Sequence, residues 1–319
     1  MHVLLVKTSS LGDVVHNLPV VTDLQRHVPG VTIDWVVEHA FADIPRLHPG
    51  VRRVIPLALR RWRKAALSTS TWKAVAEFRR DLHADAYDVV LDTQGLIKSA
   101  LVARQARLAS DAQRSGYAAD SAREPLAARF YASGFSIAKN LHAIRRNRQL
   151  AAAAFGYTLD APLDYGIDAE PLKVDWLPSS PYMVFLTGTS RADKLWATPN
   201  WNALARALAM PIVLPAGNDG ERSRAQQLAQ QMPQAVVAPS LRIADLAGVL
   251  SGARIVIGLD TGLTHLAAAL GKPAIAIFAG SDPRLTGVLG SNAGQAVNLG
   301  GIGAPPDAAQ VIDAARRLL

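Results

Sequence analysis

"RIVIGLDTGLTHLAAALGKPAIAIF", residues 254–278, reads as strand, turn, helix, turn and strand. Beyond Arg254, its two strand candidates, 254–259 and 273–278, are apolar throughout, without polar alternation. Such runs belong in a sheet covered on both faces. The alanine-rich pattern at 262–270 predicts a helix, and Lys272-Pro273 separates it from the following strand. Strands joined by single helices lie parallel, through right-handed crossovers.

Working outward, the same alternation covers both halves of the chain. Strands are predicted at 182–187, 211–215 and 235–238, with helices at 199–209, 219–231 and 241–252. Nearer the N-terminus, strands fall at 2–6, 31–37, 52–57 and 87–92. Helical patterns follow the first of these, through Val14, Leu18 and Val21, and the fourth, through 96–106. Pro19 leaves two readings open: a kinked helix, or a separate turn at 12–17 with a new helix capped by Asn17. An arginine-studded helix at 142–155 ends at Gly156. The Pro-rich stretch 170–182 reads as a linker. The expected fold is therefore α/β: two Rossmann-like doubly wound domains, 1–172 and 173–319, facing across a cleft. The amphipathic segment 306–319 fits either domain.

Composition narrows the classes. The 319 residues suffice for two cores, and the absence of cysteine removes disulfides and thiolate metal sites. The four-residue apolar run in "MHVLLVKTSS" is too short for a signal-peptide core. No apolar run reaches the ~20 residues of a membrane span. Formal charge is +8, and residues 51–64 carry six basic residues and no acid. That cluster reads as a solvated face or as an attractor for a polyanion or an anionic membrane.

Ligands of doubly wound sheets lie beyond the carboxyl ends of strands, so the polar turns there carry the chemistry. After the strand at 182–187, "GTSRADKLW" offers Thr189, Ser190 and Lys194 to an anion, or a solvated loop with Ser190 as a helix cap. After 211–215, Glu221 stands three residues beyond Asn218, which suits a capping box or a ribose acceptor. After 254–259, Asp260 ends the strand, while Thr261 and Gly262 open a helix with exposed N–H groups. His265 follows within one turn, as a packing residue or as part of that site. Taken together, the three turns suit a nucleotide sugar: diphosphate on Thr189, Ser190, Lys194, Thr261 and Gly262, ribose on Glu221, and sugar hydroxyls on Asp260.

In "VKTSSLGDVVHNLP", residues 6–19, the turn after the first strand ends on an acid. A carboxylate at a helix N-terminus repels phosphate but complements the dipole. If the donor's phosphates belong to the second domain, Asp13 is free to act as a general base on a sugar hydroxyl. There is no Asp-x-Asp or His-Glu-x-x-His motif, so the reaction is read as needing no metal.

The ordered set "KTSSLGDVVHNLP", "RRWRKA", "LDTQGLIKSA", "TGTSRADKLW" and "LDTGLTHLAAALGKP" resembles the bacterial lipopolysaccharide heptosyltransferases. "KTSSL" before the Gly-Asp sides with the type I branch. The resemblance implies a B-type glycosyltransferase fold and an inverting, metal-independent transfer of L-glycero-D-manno-heptose from ADP-heptose. It implies as acceptor the first Kdo of Kdo₂-lipid A, at the cytoplasmic face of the inner membrane, with peripheral membrane contact and no nucleic acid. It makes Asp13 the catalytic base. Lys194, Glu221, Asp260, Thr261, Gly262 and His265 bind the donor, and the Leu241 backbone meets adenine. The acceptor set is Lys7, Ser10, Arg60, Arg61, Arg63, Lys64 and Lys98, with Trp62 at the lipid boundary. The family commonly has Thr-Thr where Thr189-Ser190 stands, and residues 218–220 differ. Two alternatives are a sister enzyme with another core acceptor and a two-domain binding protein without chemistry.

Overall fold

The computed structural model describes residues 1–189, 191–291 and 295–319. The chain forms two compact units, Met1–Gly166 and Ile167–Leu319.

The first unit is built on β1 (His2–Val6), whose Val3, Leu4, Leu5 and Val6 are all fully buried. A strand so covered needs parallel neighbours and helices on both faces. β2 (Thr32–Glu38) and β3 (Val51–Leu57) extend the sheet to one side. β4 (Tyr87–Asp92), β5 (Leu108–Tyr117) and β6 (Ser133–Phe135) extend it to the other. The order is β3-β2-β1-β4-β5-β6, with every pairing parallel. Leu4, Val6, Val36, Ile55, Leu57, Phe78, Leu82 and Val90 form a core on one face of it.

The Pro19 question resolves into two helices, Leu11–Val15 and Leu18–His27. Pro19 falls in the first turn of the second, where its missing N–H costs no helical bond. Asn17 occupies the N-cap position, but its side chain makes no capping bond. Helix Ala143–Phe155 ends on Gly156 at φ 73°, the left-handed cap expected of glycine.

The second unit repeats the plan. β7 (Met183–Leu186), β8 (Ile212–Leu214), β9 (Ala235–Val237), β10 (Ile255–Leu259), β11 (Ala274–Phe278) and β12 (Ala296–Gly300) pair in the order β12-β11-β10-β7-β8-β9, all parallel. Each unit therefore has the strand order of a dinucleotide fold, and reverses direction beside its first strand. Those reversals, β1/β4 and β7/β10, are where polar turns gather.

The division falls before the 172/173 boundary read from the linker. Leu172 N donates to Gly248 O at 3.1 Å, which ties the Pro-rich stretch to the second unit. The final helix, Ala308–Leu318, packs Val311, Ala314 and Ala315 into the second unit's core beside Trp196, Trp201 and Phe185.

Candidate active site

In the first unit, the Gln94 side chain ties the turn after β4 to the turn after β1. Gln94 Oε1 accepts from the backbone N–H of Thr8 at 3.0 Å and of Ser9 at 3.2 Å. Gln94 is itself placed by Asp92, whose Oδ1 takes the Gln94 N–H at 2.8 Å. The other Asp92 oxygen takes the Tyr131 hydroxyl at 2.7 Å. Burial pushes the Asp92 carboxyl above its ordinary value, against these bonds.

Asp13 stands on this braced turn. Its Oδ2 accepts from Ser10 N at 2.9 Å and from Ser10 Oγ at 3.2 Å. The acid therefore serves the helix start, and its side chain is still 27% exposed. Arg123 Nη1 lies 3.8 Å from the same oxygen, a neighbour that no sequence motif announced. Lys7 is interior: its ammonium donates to Thr93 O at 2.8 Å and lies 3.5 Å from Asn147 Oδ1. Burial lowers its pKa, while Asp13 and Asp92 pull the other way. Lys98 is exposed and donates to Ser9 Oγ at 3.3 Å.

The basic residues Arg60, Arg61, Arg63 and Lys64 all lie on the short helix Leu59–Lys64 and are exposed. Trp62 differs from its expected place at a lipid boundary. Its ring tilts against Phe78 at 5.6 Å between centroids, and it packs on the first unit's core.

In the second unit, four strand-end turns converge. The helix Gly262–Ala269 begins after Thr261, so its first N–H groups open at the end of β10. Asp260 precedes it, and its Oδ2 accepts from Lys194 Nζ at 2.6 Å and from Ser281 Oγ at 2.5 Å. His265, buried in the same helix, has Nε2 at 3.6 Å from Asp260 Oδ1. Burial opposes the charged carboxylate, but the bonds from His265, Lys194 and Ser281 outweigh it and hold Asp260 well below the carboxylate range. Ser281, beyond β11, was not expected from the sequence. A hydroxyl three residues past the end of β11, directly after Gly280, carries no distinctive signal there.

Glu221 joins the remaining turns. Asn218 Oδ1 caps the helix Asp219–Ala229 by accepting from Glu221 N at 2.9 Å. The Glu221 carboxylate instead takes the Gly217 N–H at 2.8 Å. It also lies against Gly188: a Cβ there would sit 2.6 Å from the Glu221 carboxyl carbon. Thr189 follows Gly188 in the turn after β7; Ser190 lies outside the described residues. Leu241 is half-buried in the loop before helix Ile243–Gly252.

Among the described residues, His2, Asp34 and Asp85 have metal-like spacing. They stand at the opposite end of the first sheet from Asp13, and Asp34 accepts from Arg52, Arg53 and Tyr87. Guanidinium groups take the place a cation would need.

These turns belong to a chain with clear relatives. It is 46% identical over 297 residues to lipopolysaccharide heptosyltransferase 1 of Pseudomonas aeruginosa, covering 91% of this chain and 82% of the relative. Against the Salmonella typhimurium protein of that name the identity is 44%, with 92% of each covered. The solved structure of the E. coli heptosyltransferase WaaC with ADP superposes with a TM-score of 0.90 at 40% identity, covering 100% of both chains. The WaaC structure with ADP-2-deoxy-2-fluoro heptose gives a TM-score of 0.83 at 39% identity, covering 99% of this chain and 98% of that one. The family model for glycosyltransferase family 9 (heptosyltransferase) matches residues 75–308. A doubly wound pair of parallel sheets, polar turns at both reversals and these matches agree: the chain is a glycosyltransferase and belongs to family 9, the heptosyltransferases.

Proposed function

We propose that this enzyme transfers L-glycero-D-manno-heptose from ADP-heptose to the first Kdo of Kdo₂-lipid A, with inversion and without a metal. The observation that carries the donor side is the meeting of Lys194 and Ser281 at the Asp260 carboxylate, with Glu221 against Gly188 in the same turn that carries Lys194. The diphosphate is held by Lys194, Thr189, Ser190 and the N–H groups of Thr261 and Gly262. The ribose is held by Glu221, adenine by the Leu241 backbone, and the heptose hydroxyls by Asp260 with His265 behind it. The likeness to an enzyme solved with an ADP-heptose analogue supports the same donor.

On the acceptor side, the Kdo hydroxyl attacks the anomeric carbon from the face opposite the diphosphate. The C–O bond to the β-phosphate breaks as the new glycosidic bond forms, and ADP departs with the electron pair. Asp13 takes the hydroxyl proton. Lys194 and the helix N-terminus stabilise the charge on ADP, the role a metal serves elsewhere. Arg60, Arg61, Arg63, Lys64 and Lys98 hold the acceptor's anionic groups, with Ser10 beside the reacting hydroxyl. Lys7, whose ammonium is occupied within the fold, supports the Asp13 turn from beneath. The reaction takes place at the cytoplasmic face of the inner membrane, with the enzyme bound peripherally.

The test is ADP release with Kdo₂-lipid A and a panel of nucleotide sugars, with and without chelator. The reading expects turnover confined to ADP-heptose and unchanged by chelation. Binding without ADP release, a different preferred donor, or a Mg²⁺-restored rate would each contradict it.

A further inference from the structure

Two large apolar side chains stand in water beside the basic helix. Leu67 is 96% exposed in the turn after Leu59–Lys64, and Trp72 is 64% exposed in the first turn of helix Thr69–His83. The turn between the helices is closed by short backbone bonds, Ala65 N to Arg61 O at 3.2 Å and Ser68 N to Ala65 O at 3.0 Å. Leu67 is thus presented by a formed turn. Trp72 N in turn donates to Ser68 O at 3.2 Å, which fixes the second helix start to the same turn.

The charge around the pair has one sign. No carboxylate occurs in the sequence between Asp43 and Glu77. Within 59–73 stand Arg60, Arg61, Arg63, Lys64 and Lys73, all exposed and without an ion pair among the described residues. Trp62, the other aromatic in this stretch, is turned onto Phe78 and is partly buried there. Cationic head groups around exposed Leu and Trp suit the boundary of an anionic bilayer: charges meet lipid phosphates while the apolar tips enter the acyl edge.

We propose that Leu67 and Trp72 are membrane-inserting residues, and that with the surrounding Arg and Lys side chains they form a docking surface for anionic phospholipid. The inference rests on the membrane-side part of the proposed function, but it concerns the bilayer itself and not the acceptor. It therefore applies to vesicles that contain no acceptor.

The experiment is flotation of the full chain with acceptor-free vesicles of phosphatidylcholine mixed with phosphatidylglycerol. The proposal expects binding that high salt weakens, and little binding to phosphatidylcholine alone. The Leu67→Ser/Trp72→Ser variant, with its whole basic set intact, is expected to lose at least about tenfold in partitioning. Its melting temperature and its turnover of detergent-solubilised acceptor should be unchanged. Leu67→Ser alone should show an intermediate loss. A blue shift of tryptophan emission on vesicle binding should vanish in Trp72→Phe, although five other tryptophans remain of the six. Unchanged partitioning of the double variant would overturn the proposal. So would self-association abolished by the double variant in place of vesicle binding, because the occupant would then be a second copy. If vesicles bind as expected but ADP-heptose is not turned over, the functional reading fails and the docking surface stands.

Discussion

Lys194 and Ser281 donate to the same oxygen of Asp260, at 2.6 and 2.5 Å. A diphosphate that draws Lys194 toward itself leaves Asp260 Oδ2 with Ser281 as its remaining donor from this pair. On the proposed donor reading, Ser281 would then keep the carboxylate aimed while the lysine serves the phosphates. Ser281→Ala is expected to weaken ADP-heptose binding about tenfold, the scale of one hydrogen bond to a charged group, with ADP affinity nearly unchanged. Ser281→Thr should restore it. Calorimetry with the two nucleotides checks this; equal losses for both would mean that Ser281 supports the fold and not the sugar contact.

The contact between Glu221 and Gly188 allows a steric test. A Cβ on residue 188 would stand 2.6 Å from the Glu221 carboxyl carbon, so Gly188→Ala must push Glu221 aside. If Glu221 holds the ribose diol, the variant should raise the KM for ADP-heptose about tenfold or more. The acceptor KM should not move. Steady-state kinetics with each substrate varied separately measures both.

Away from the site, His48 makes stability depend on pH. Its Nδ1 accepts from Gly50 N at 3.0 Å, so the ring proton sits on Nε2, 3.0 Å from Thr22 Oγ1. Burial lowers its pKa from 6.5 to about 4, although Asp164 opposes the shift. Between those values the unfolded chain binds the proton more tightly than the folded one. The stabilisation is therefore complete above about pH 6.5 and is lost as pH falls toward 4, by on the order of 3 kcal/mol at most. Denaturant unfolding across that range should show a steeper decline for the native chain than for His48→Gln.

The sheets were legible because their central strands are buried on both faces. Runs such as HVLLV and RIVIGL admit few other structures, and their spacing by single helices dictates parallel order. β5 was missed for the converse reason: LASDAQRSGY is polar, half exposed, and carries Asp111 at φ 62°. Helix Thr69–His83 was missed too, since it buries only Thr71, Phe78 and Leu82. The strand-end turn of Asp260, Thr261 and Gly262 could be placed directly, because an apolar strand precedes it and a glycine opens the helix that follows. Gln94, Arg123 and Ser281 gain their meaning from partners distant in sequence, which spacing alone does not reveal. Trp62 and Trp72 show the limit most plainly. Both are tryptophans near a basic run, and only packing distinguishes the inward ring from the exposed one.

The proposed base, Asp13, also bonds Ser10 at the helix start, so its two roles must be measured apart. Asp13→Asn keeps the shape of that contact and removes the base. Its single-turnover rate, measured beside the ADP-heptose dissociation constant, separates the two roles. If Asp13 is the base, the rate should fall about 10²–10⁴-fold with donor affinity within about twofold of the native enzyme. A rate close to native at full donor occupancy would contradict it.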